Sequence, residues 1–341
     1  MGPQERRTRA TVLGFVVALG ILLALVYVVG IDEVLVAMAA VEPAVLLLLG
    51  VVVFAWIGTW SGSLHLTASA FEIETTVVES VLVYAHMMFL DNVIPFSSIS
   101  ADPFAALAVS RATATDYETS LATVITVDFL NFLPAPAFGG IGLVYLMAAS
   151  PLDGPVETLA VALIALLLGL SVVGYLAWIR RRWLAEVGAT AVVAALRAAS
   201  SVLPRVSAPS GTDVRRRATS LVANLETVAG DRRTLLVVAT FATAGWTLLA
   251  ASLWLSLYAV GHAIPAGLAL FLVSLVTVGE LVPLPGGVGT SESLFVVLLV
   301  ALAGTPPAAA TAGVLVHRGA TYWFPVVLGG GVVPLLLRDR L

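Results

Sequence analysis

Long apolar runs dominate the hydrophobic pattern of this chain, and polar residues collect between them. A helix needs about 20 apolar residues to cross the hydrocarbon core of a bilayer. Six runs are long enough, and they cover residues 12–29, 44–64, 121–148, 159–179, 235–260 and 311–337. The pattern therefore predicts an all-α polytopic membrane protein with about six full transmembrane helices.

Two further apolar regions, 77–110 and 264–303, are interrupted by residues that break helices. The second contains the sequence LVPLPGGVGTSE at 281–292. Proline cannot donate a backbone hydrogen bond, glycine favours turns, and hydrocarbon offers no water to satisfy the free backbone groups. We therefore expect two re-entrant helical hairpins. The residues expected to form their turns are Pro95, Pro283, Pro285, Gly286, Gly287 and Gly289.

The arginines indicate how the hairpins are inserted, because short cytoplasmic loops and helix ends are enriched in basic residues. Arginines cluster at 6–9, 180–182 and 215–217. These clusters share one side of the membrane if each hairpin enters and leaves on the same side. Both termini are then cytoplasmic, and the order span, hairpin, span occurs twice with opposite orientation, as in transporters built from inverted repeats. Eight full spans would satisfy the arginines equally well and remain the alternative.

We expect a single integral membrane domain over residues 1–341. Its first membrane half covers 1–180 and includes the hairpin at 77–110, and its second half covers 235–341 and includes the hairpin at 264–303. A cytoplasmic connector, 181–234, joins the two halves. We expect the protein in the cell membrane as a multi-pass protein.

Composition supports the membrane assignment and narrows the chemistry. The chain is 60% hydrophobic and 11% charged, has no cysteine, and has a mean hydropathy of +1.03. Such values lie outside those of soluble domains. Without cysteine there is no disulfide and no thiolate metal ligand. No motif indicates a cofactor, a metal or a nucleic acid partner, and we expect none of them.

Charged residues inside apolar segments are the candidates for function, since each costs about 2.5–3.5 kcal/mol at the bilayer centre on insertion scales. They can cap half-helices and pair with one another, or they can line a path for a lipid headgroup. Arg318 can neutralise a carboxylate or hold a lipid phosphate through its guanidinium group. The candidate substrate-binding residues are Arg318, Glu292, Glu280, Asp102, Asp91, Asn92, Asp128 and Tyr322.

The sequence PLPGGVGTSE at 283–292, followed by Gly304 and then by Arg318, Tyr322 and Trp323, resembles the transmembrane flippase-like region of the lysylphosphatidylglycerol synthase family. The resemblance covers most of the chain. Members with two parts carry a soluble aminoacyl transferase domain after this region, whereas this sequence ends at Leu341, so synthase activity is not implied.

The first hairpin of this chain is similar to the family's motif at Asn92, Pro95 and Asp102, and Asp128 is similar to its acid in the following span. It differs where relatives often have a glycine-rich turn, because here the sequence is SSISA at 97–101. The resemblance therefore implies a class of function, movement of a polar lipid between leaflets, but not a particular headgroup.

The leading hypothesis is thus a membrane lipid translocase that moves a polar or phosphate-bearing lipid. One alternative is an intramembrane transferase acting on a lipid or polyprenyl substrate, with His86 or His317 as acid and base. Another is a non-catalytic membrane partner of a separate lipid-modifying enzyme. Membrane lipids are the expected partners in each case, and the sequence leaves the oligomeric state open.

Overall fold

The chain folds into helices throughout the part that is described. The computed structural model describes residues 3–94, 101–149, 165, 169, 172–202, 210–277 and 284–338, and no strand occurs within these ranges. The predicted span at 159–179 lies mostly outside them, with residues 172–179 helical. The α-helices are α1 (Pro3–Val29), α2 (Ile31–Ala39), α3 (Pro43–Ala70), α4 (Val77–Val93), α5 (Asp102–Thr113), α6 (Tyr117–Phe132), α7 (Ala135–Ala149), α8 (Arg181–Val202), α9 (Gly211–Gly230), α10 (Arg232–Ala259), α11 (Ala266–Val276), α12 (Thr290–Ala303), α13 (Pro307–Arg318) and α14 (Phe324–Arg338).

Polar residues fix the starts of helices in a chain whose apolar runs leave few such signals. Thr76 and Glu79 form a capping box at α4, in which the Thr76 N–H donates to the Glu79 carboxylate over 2.7 Å. Asp116 caps α6 by accepting from the Thr119 N–H over 2.8 Å. These contacts satisfy backbone N–H groups that have no partner within the helix.

Within the described residues, four helical segments are long and apolar enough to cross a bilayer. A fifth is gained if α1 and α2, which bend by 90° at Gly30, count as one span. The run at 311–337, predicted as one continuous helix, is interrupted by a π-helical turn at Gly319–Trp323. The four segments are Pro43–Ala70, Tyr117–Ala148, Arg232–Ala259 and Pro285–Ala303. The protein is therefore a polytopic all-α membrane protein.

The same order of helices occurs twice. A long helix (α3 or α10) is followed by two shorter helices (α4 and α5, or α11 and α12) and then by a broken helix (α6 and α7, or α13, the π turn and α14). We call these the first unit and the second unit. The long helices α3 and α10 pack extensively against each other and hold the two units together.

The packing of the two units is reciprocal. In the first unit α4 packs against α14 of the second unit, and in the second unit α11 packs against α7 of the first. Both contacts depend on glycines with no room for a side chain. A Cβ atom at Gly142 of α7 would meet the backbone of α11, and one at Gly329 of α14 would meet the backbone of α4. Small residues allow this close helix contact without a hydrophobic driving force between helices.

Candidate functional site

A cavity of about 580 Å³ lies between the two units. Its walls come from α3, α4, α5 and α6 of the first unit and from α10, α11, α12 and α13 of the second. The charged side chains on its walls are Asp91, Asp102, Asp128 and Arg318. A polar cavity enclosed by apolar helices is the common form of a ligand site in a helical membrane protein.

In the second unit, Arg318 and Glu292 form a buried ion pair at the edge of this cavity. The Arg318 Nε atom donates to Glu292 Oε1 over 2.8 Å, and the two residues are 8% and 1% exposed. The guanidinium group also lies over the Tyr322 ring, 4.6 Å from its centroid. The pair removes most of the cost of burying either charge alone.

The same two side chains hold the turn of the second hairpin. Arg318 Nη2 donates to the Gly286 carbonyl oxygen over 2.7 Å, and the Gly289 N–H donates to Glu292 Oε2 over 2.6 Å. Residues Pro285–Gly287 form a 3-10 turn before α12. The glycines provide positive φ angles of 53° at Gly286 and 85° at Gly289, which other residues adopt at a cost. Pro285 and the glycines of the motif thus make a turn in which Arg318 and Glu292 satisfy the Gly286 carbonyl oxygen and the Gly289 N–H.

The turn at Pro285–Gly287 and the nearby Tyr322 also meet the end of α4. The Tyr322 hydroxyl donates to the Asn92 carbonyl oxygen over 3.0 Å. A Cβ atom at Gly286 would meet the Tyr322 ring and would lie 3.0 Å from Asn92 Oδ1. Tyr322 reaches this position from the π turn, a local helix distortion that is frequent at functional sites. The turn before α12 therefore meets the first unit where α4 ends.

In the first unit, the cavity wall is acidic. Asp102 begins α5, Asp128 lies in α6, and both line the same cavity. Among the described residues neither forms an ion pair. Asp91 of α4 lines the same cavity and takes part in an electrostatic interaction. The second unit thus contributes a neutralised ion pair to the cavity, and the first unit contributes carboxylates.

Aromatic side chains form the remaining wall of the cavity. Trp60 is the centre of the group, with its ring centroid 5.4 Å from that of Trp56, 6.3 Å from Tyr84 and 6.2 Å from Trp246. The Trp246 indole N–H donates to the Asn131 carbonyl oxygen over 2.7 Å. Aromatic rings offer faces to which apolar and cationic parts of a ligand bind.

The structure places the predicted substrate-binding residues in three groups. Five line the cavity, and they are Arg318, Asp102, Asp91, Asn92 and Asp128. Glu292 and Tyr322 lie behind Arg318 and contact it. Glu280 lies outside the described residues, as do two of the predicted turn residues, Pro95 and Pro283.

The sequence did not single out the aromatic wall. Trp56, Trp60 and Trp246 lie in long helices that are apolar on every side, so the sequence pattern does not identify the side that faces the cavity. Gly245 would have been a signal, since a Cβ atom there would meet the Trp60 indole nitrogen. A glycine within an apolar helix marks such close contacts.

The fold and the cavity define a class: a multi-pass membrane protein of two helical units that enclose a charged cavity. Residues 11–329 match the family described as lysylphosphatidylglycerol synthase TM region. The chain therefore belongs to this family, which confirms the resemblance carried by the motif at 283–292. Comparison with curated proteins gave no significant match.

Proposed function

We propose that this protein is a lipid translocase, in which the cavity between the two units takes the polar headgroup of a membrane lipid while the hydrocarbon tails remain in the bilayer. The observation that carries this proposal is the cavity itself. It has charged walls from both units within a chain that is otherwise 60% hydrophobic. Charged residues at membrane depth mark substrate paths more often than structural contacts.

The reciprocal packing of the two units supports the same proposal. In transporters built from inverted repeats, the substrate site lies between the repeats near the midplane, and broken helices contribute polar groups to it. Here we take α4 with α5, and α11 with α12, as oppositely inserted re-entrant hairpins. Movement of one unit relative to the other would open the cavity to either leaflet in turn.

Arg318 has two roles in this proposal. In the structure it holds Glu292 and the turn at Gly286. In the transport cycle it binds the phosphate of the lipid, exchanging one anionic partner for another of similar geometry. Arg318 lines the cavity, so a lipid phosphate can approach its guanidinium group, and binding of the phosphate must offset the loss of the contacts with Glu292 and Gly286.

The proposal is tested with purified protein in vesicles that contain lipids labelled on the acyl chain. Dithionite bleaches the label in the outer leaflet only, so lipid movement is measured as bleaching beyond that leaflet. Labelled phosphatidylglycerol, phosphatidylethanolamine and a glycolipid are compared. We expect at least one of them to move faster than in protein-free vesicles.

Arg318→Ala should abolish this acceleration. The matched control is Arg111→Ala, which removes an exposed arginine of α5 and should retain it. Equal rates for all three lipids with and without the wild-type protein would contradict the proposal.

A further inference from the structure

In each unit, two helices that line the cavity meet at an equivalent break, α5 with α6 in the first unit and α12 with α13 in the second. Helix α5 ends at Thr113 and is followed by a left-handed residue, Ala114 with φ 56°, and α6 begins three residues later. Helix α12 ends at Ala303 and is followed by Gly304 with φ 61°, and α13 begins three residues later. The two left-handed residues therefore fix a separation of 190 residues between equivalent positions, the difference between 304 and 114.

The same separation of 190 residues relates the charged residues of the two cavity walls. It pairs Asp102 with Glu292 and Asp128 with Arg318. In the second unit these positions hold a salt bridge of 2.8 Å. In the first unit both positions hold carboxylates, so the place of the guanidinium charge is taken by a second acid.

The cation that would balance Asp102 and Asp128 is not provided by the described charged residues around them. Arg318 is already bound to Glu292, and His317, which also lines the cavity, hydrogen-bonds Ser252 through Nδ1. Asp91 and Tyr84 of α4 also line the cavity, and neither side chain is a cation. No group of three or more His, Asp or Glu residues in the described part of the chain is arranged to hold a metal ion.

Asn131, a buried polar residue near Asp128, has hydrogen-bonding groups that a small bound molecule could use. Asn131 lies one turn after Asp128, lines the cavity and is 2% exposed. It lies beside the Tyr84 hydroxyl group, yet neither its amide oxygen nor its amide nitrogen makes a hydrogen bond of ordinary geometry with a described residue. Buried amides are normally satisfied by protein or water.

We propose that Asp102 and Asp128 form a proton-binding pair, the counterpart of the Glu292–Arg318 salt bridge, and that this pair couples lipid movement to a proton gradient. A proton bound at one of the two carboxylates lowers the negative charge of the pair, as the guanidinium group lowers it in the second unit, because two carboxylates that face one cavity repel each other when both are ionised. The proton enters when the cavity faces one side of the membrane and leaves when it faces the other. The coupling rests on the proposed lipid translocation, whereas the proton-binding pair does not.

Infrared difference spectroscopy of the purified protein tests the pair without any transport. A protonated carboxyl group has a carbonyl stretching band that a carboxylate lacks. At about pH 6, exposed aspartates are ionised, and we expect the wild-type protein to retain such a band. Asp128→Asn and Asp102→Asn should each remove it, and Asp32→Asn, a matched change on the exposed face of α2, should leave it unchanged.

Absence of the band in the wild-type protein at this pH would overturn the pair even if every variant failed to fold. Persistence of the band in folded Asp128→Asn and Asp102→Asn would also overturn it, because another group would then carry the proton. Loss of the band on adding an organic ammonium salt, but not on adding sodium chloride at the same concentration, would show that the pair binds ammonium groups instead.

The coupling is tested in the vesicles used for lipid movement. With one proton exchanged per cycle, a gradient of about one pH unit should shift the inward-to-outward distribution of the labelled lipid by up to about tenfold. Asp128→Asn should abolish this dependence on the gradient. An infrared band without lipid movement would support the proton-binding pair and contradict the proposed lipid translocation. Lipid movement that does not depend on the gradient, in a protein without the band, would support lipid translocation and contradict the proton-binding pair.

Discussion

Glu292 joins Arg318 to the turn before α12. One carboxylate oxygen accepts from Arg318 and the other from the Gly289 N–H, while the side chain is 1% exposed. The carboxylate thus caps α12, which begins at Thr290, and neutralises Arg318. Because the charge and the cap depend on the same atoms, the ion pair and the turn should be lost together.

We expect Glu292→Gln and Arg318→Met to destabilise the protein by about 3–5 kcal/mol each, since each leaves a buried charge or its partner uncompensated. The double variant should cost less than the sum of the two, because no unpaired charge remains. Thermal unfolding in detergent, followed by tryptophan fluorescence, measures these differences. Additive effects would show that the ion pair contributes little.

A second prediction at this scale concerns Ala114, which ends α5 with a positive φ angle of 56°. This conformation strains residues that have a Cβ atom, and Gly304 holds the equivalent position in the second unit. We expect Ala114→Gly to raise the free energy of unfolding by about 1 kcal/mol. The control, Ala112→Gly, lies two residues earlier inside the same helix and should lower it by about 0.5–1 kcal/mol. A lower melting temperature for Ala114→Gly would contradict this explanation.

Single residues also show how much of the site the sequence could predict. Arg318, Asp102 and Asp128 stand out because a charge in an apolar run is costly and must be explained, and all three line the cavity. Their arrangement could not be predicted in the same way. The correspondence of Asp128 with Arg318 joins residues of opposite charge, so it leaves no sequence identity and depends on helix ends that only the fold fixes.

At the scale of helices, the apolar pattern predicted which segments are helical better than where they break. The run at 121–148 contains α6 and α7, which meet at Leu133 and Pro134, and the run at 311–337 contains the π turn. A helix that is apolar on all sides gives no periodic signal at a break. Proline at 134 marks the first interruption, and Pro325, which follows the π turn and has no N–H to donate back into it, marks the second.

Close helix contacts give a direct test of the packing between the units. Gly329→Ala places a Cβ atom against the backbone of α4 at Ala85 and against the Phe89 side chain. We expect a loss of about 1–3 kcal/mol, because backbone cannot move aside without separating α4 from α14. Gly331→Ala, in the same helix with no atom within 4 Å of the added Cβ, should leave the melting temperature unchanged or slightly higher. Equal effects of the two substitutions would contradict the close contact.

The connector helices α8 and α9 are held together by charge at their exposed surface. Arg181 and Arg182 each donate to the Glu226 carboxylate over 2.8 Å. The hydrogen bond from Arg182 lowers the pKa of Glu226 from its ordinary value. A carboxylate with a lowered pKa stabilises the folded arrangement above its unfolded pKa, and this contribution is lost as the pH falls through the folded pKa.

We therefore expect α8 and α9 to separate in acid. The chain has no cysteine, so spin labels can be attached at Thr190→Cys and Ser220→Cys without other changes. The distance distribution between the labels should be narrow at neutral pH and broaden below about pH 4, where glutamates become protonated. With Glu226→Gln it should be broad at every pH. A distribution that is narrow in acid, or unaffected by Glu226→Gln, would show that apolar contacts hold the connector.

For the whole molecule, the important feature is that two units of the same helical order carry different charges at equivalent positions. The salt bridge of the second unit fixes a turn, with Arg318 bound to Glu292 and to the Gly286 carbonyl oxygen. The carboxylates of the first unit, Asp102 and Asp128, have no such internal partner among the described residues. The second unit is fixed by its own ion pair, and in our proposal the charge of the first unit depends on a bound proton. We propose that this difference allows one unit to move against the other.

A single substitution in the first unit can remove this difference in charge between the units. Asp128→Arg would give the first unit the acid and guanidinium pair of the second, at the positions equivalent to Glu292 and Arg318. Asp128→Arg removes one buried carboxylate and pairs the other, Asp102, with a cation, so the melting temperature should rise, whereas Asp128→Leu, which removes one charge without adding a cation, should change it less. The cavity of about 580 Å³ leaves room for the longer side chain.

If the proposed translocation depends on a charge that is bound and released there, Asp128→Arg should also stop lipid movement in vesicles while remaining folded. A variant that is more stable and still moves lipid would separate the symmetry of the fold from the mechanism of transport.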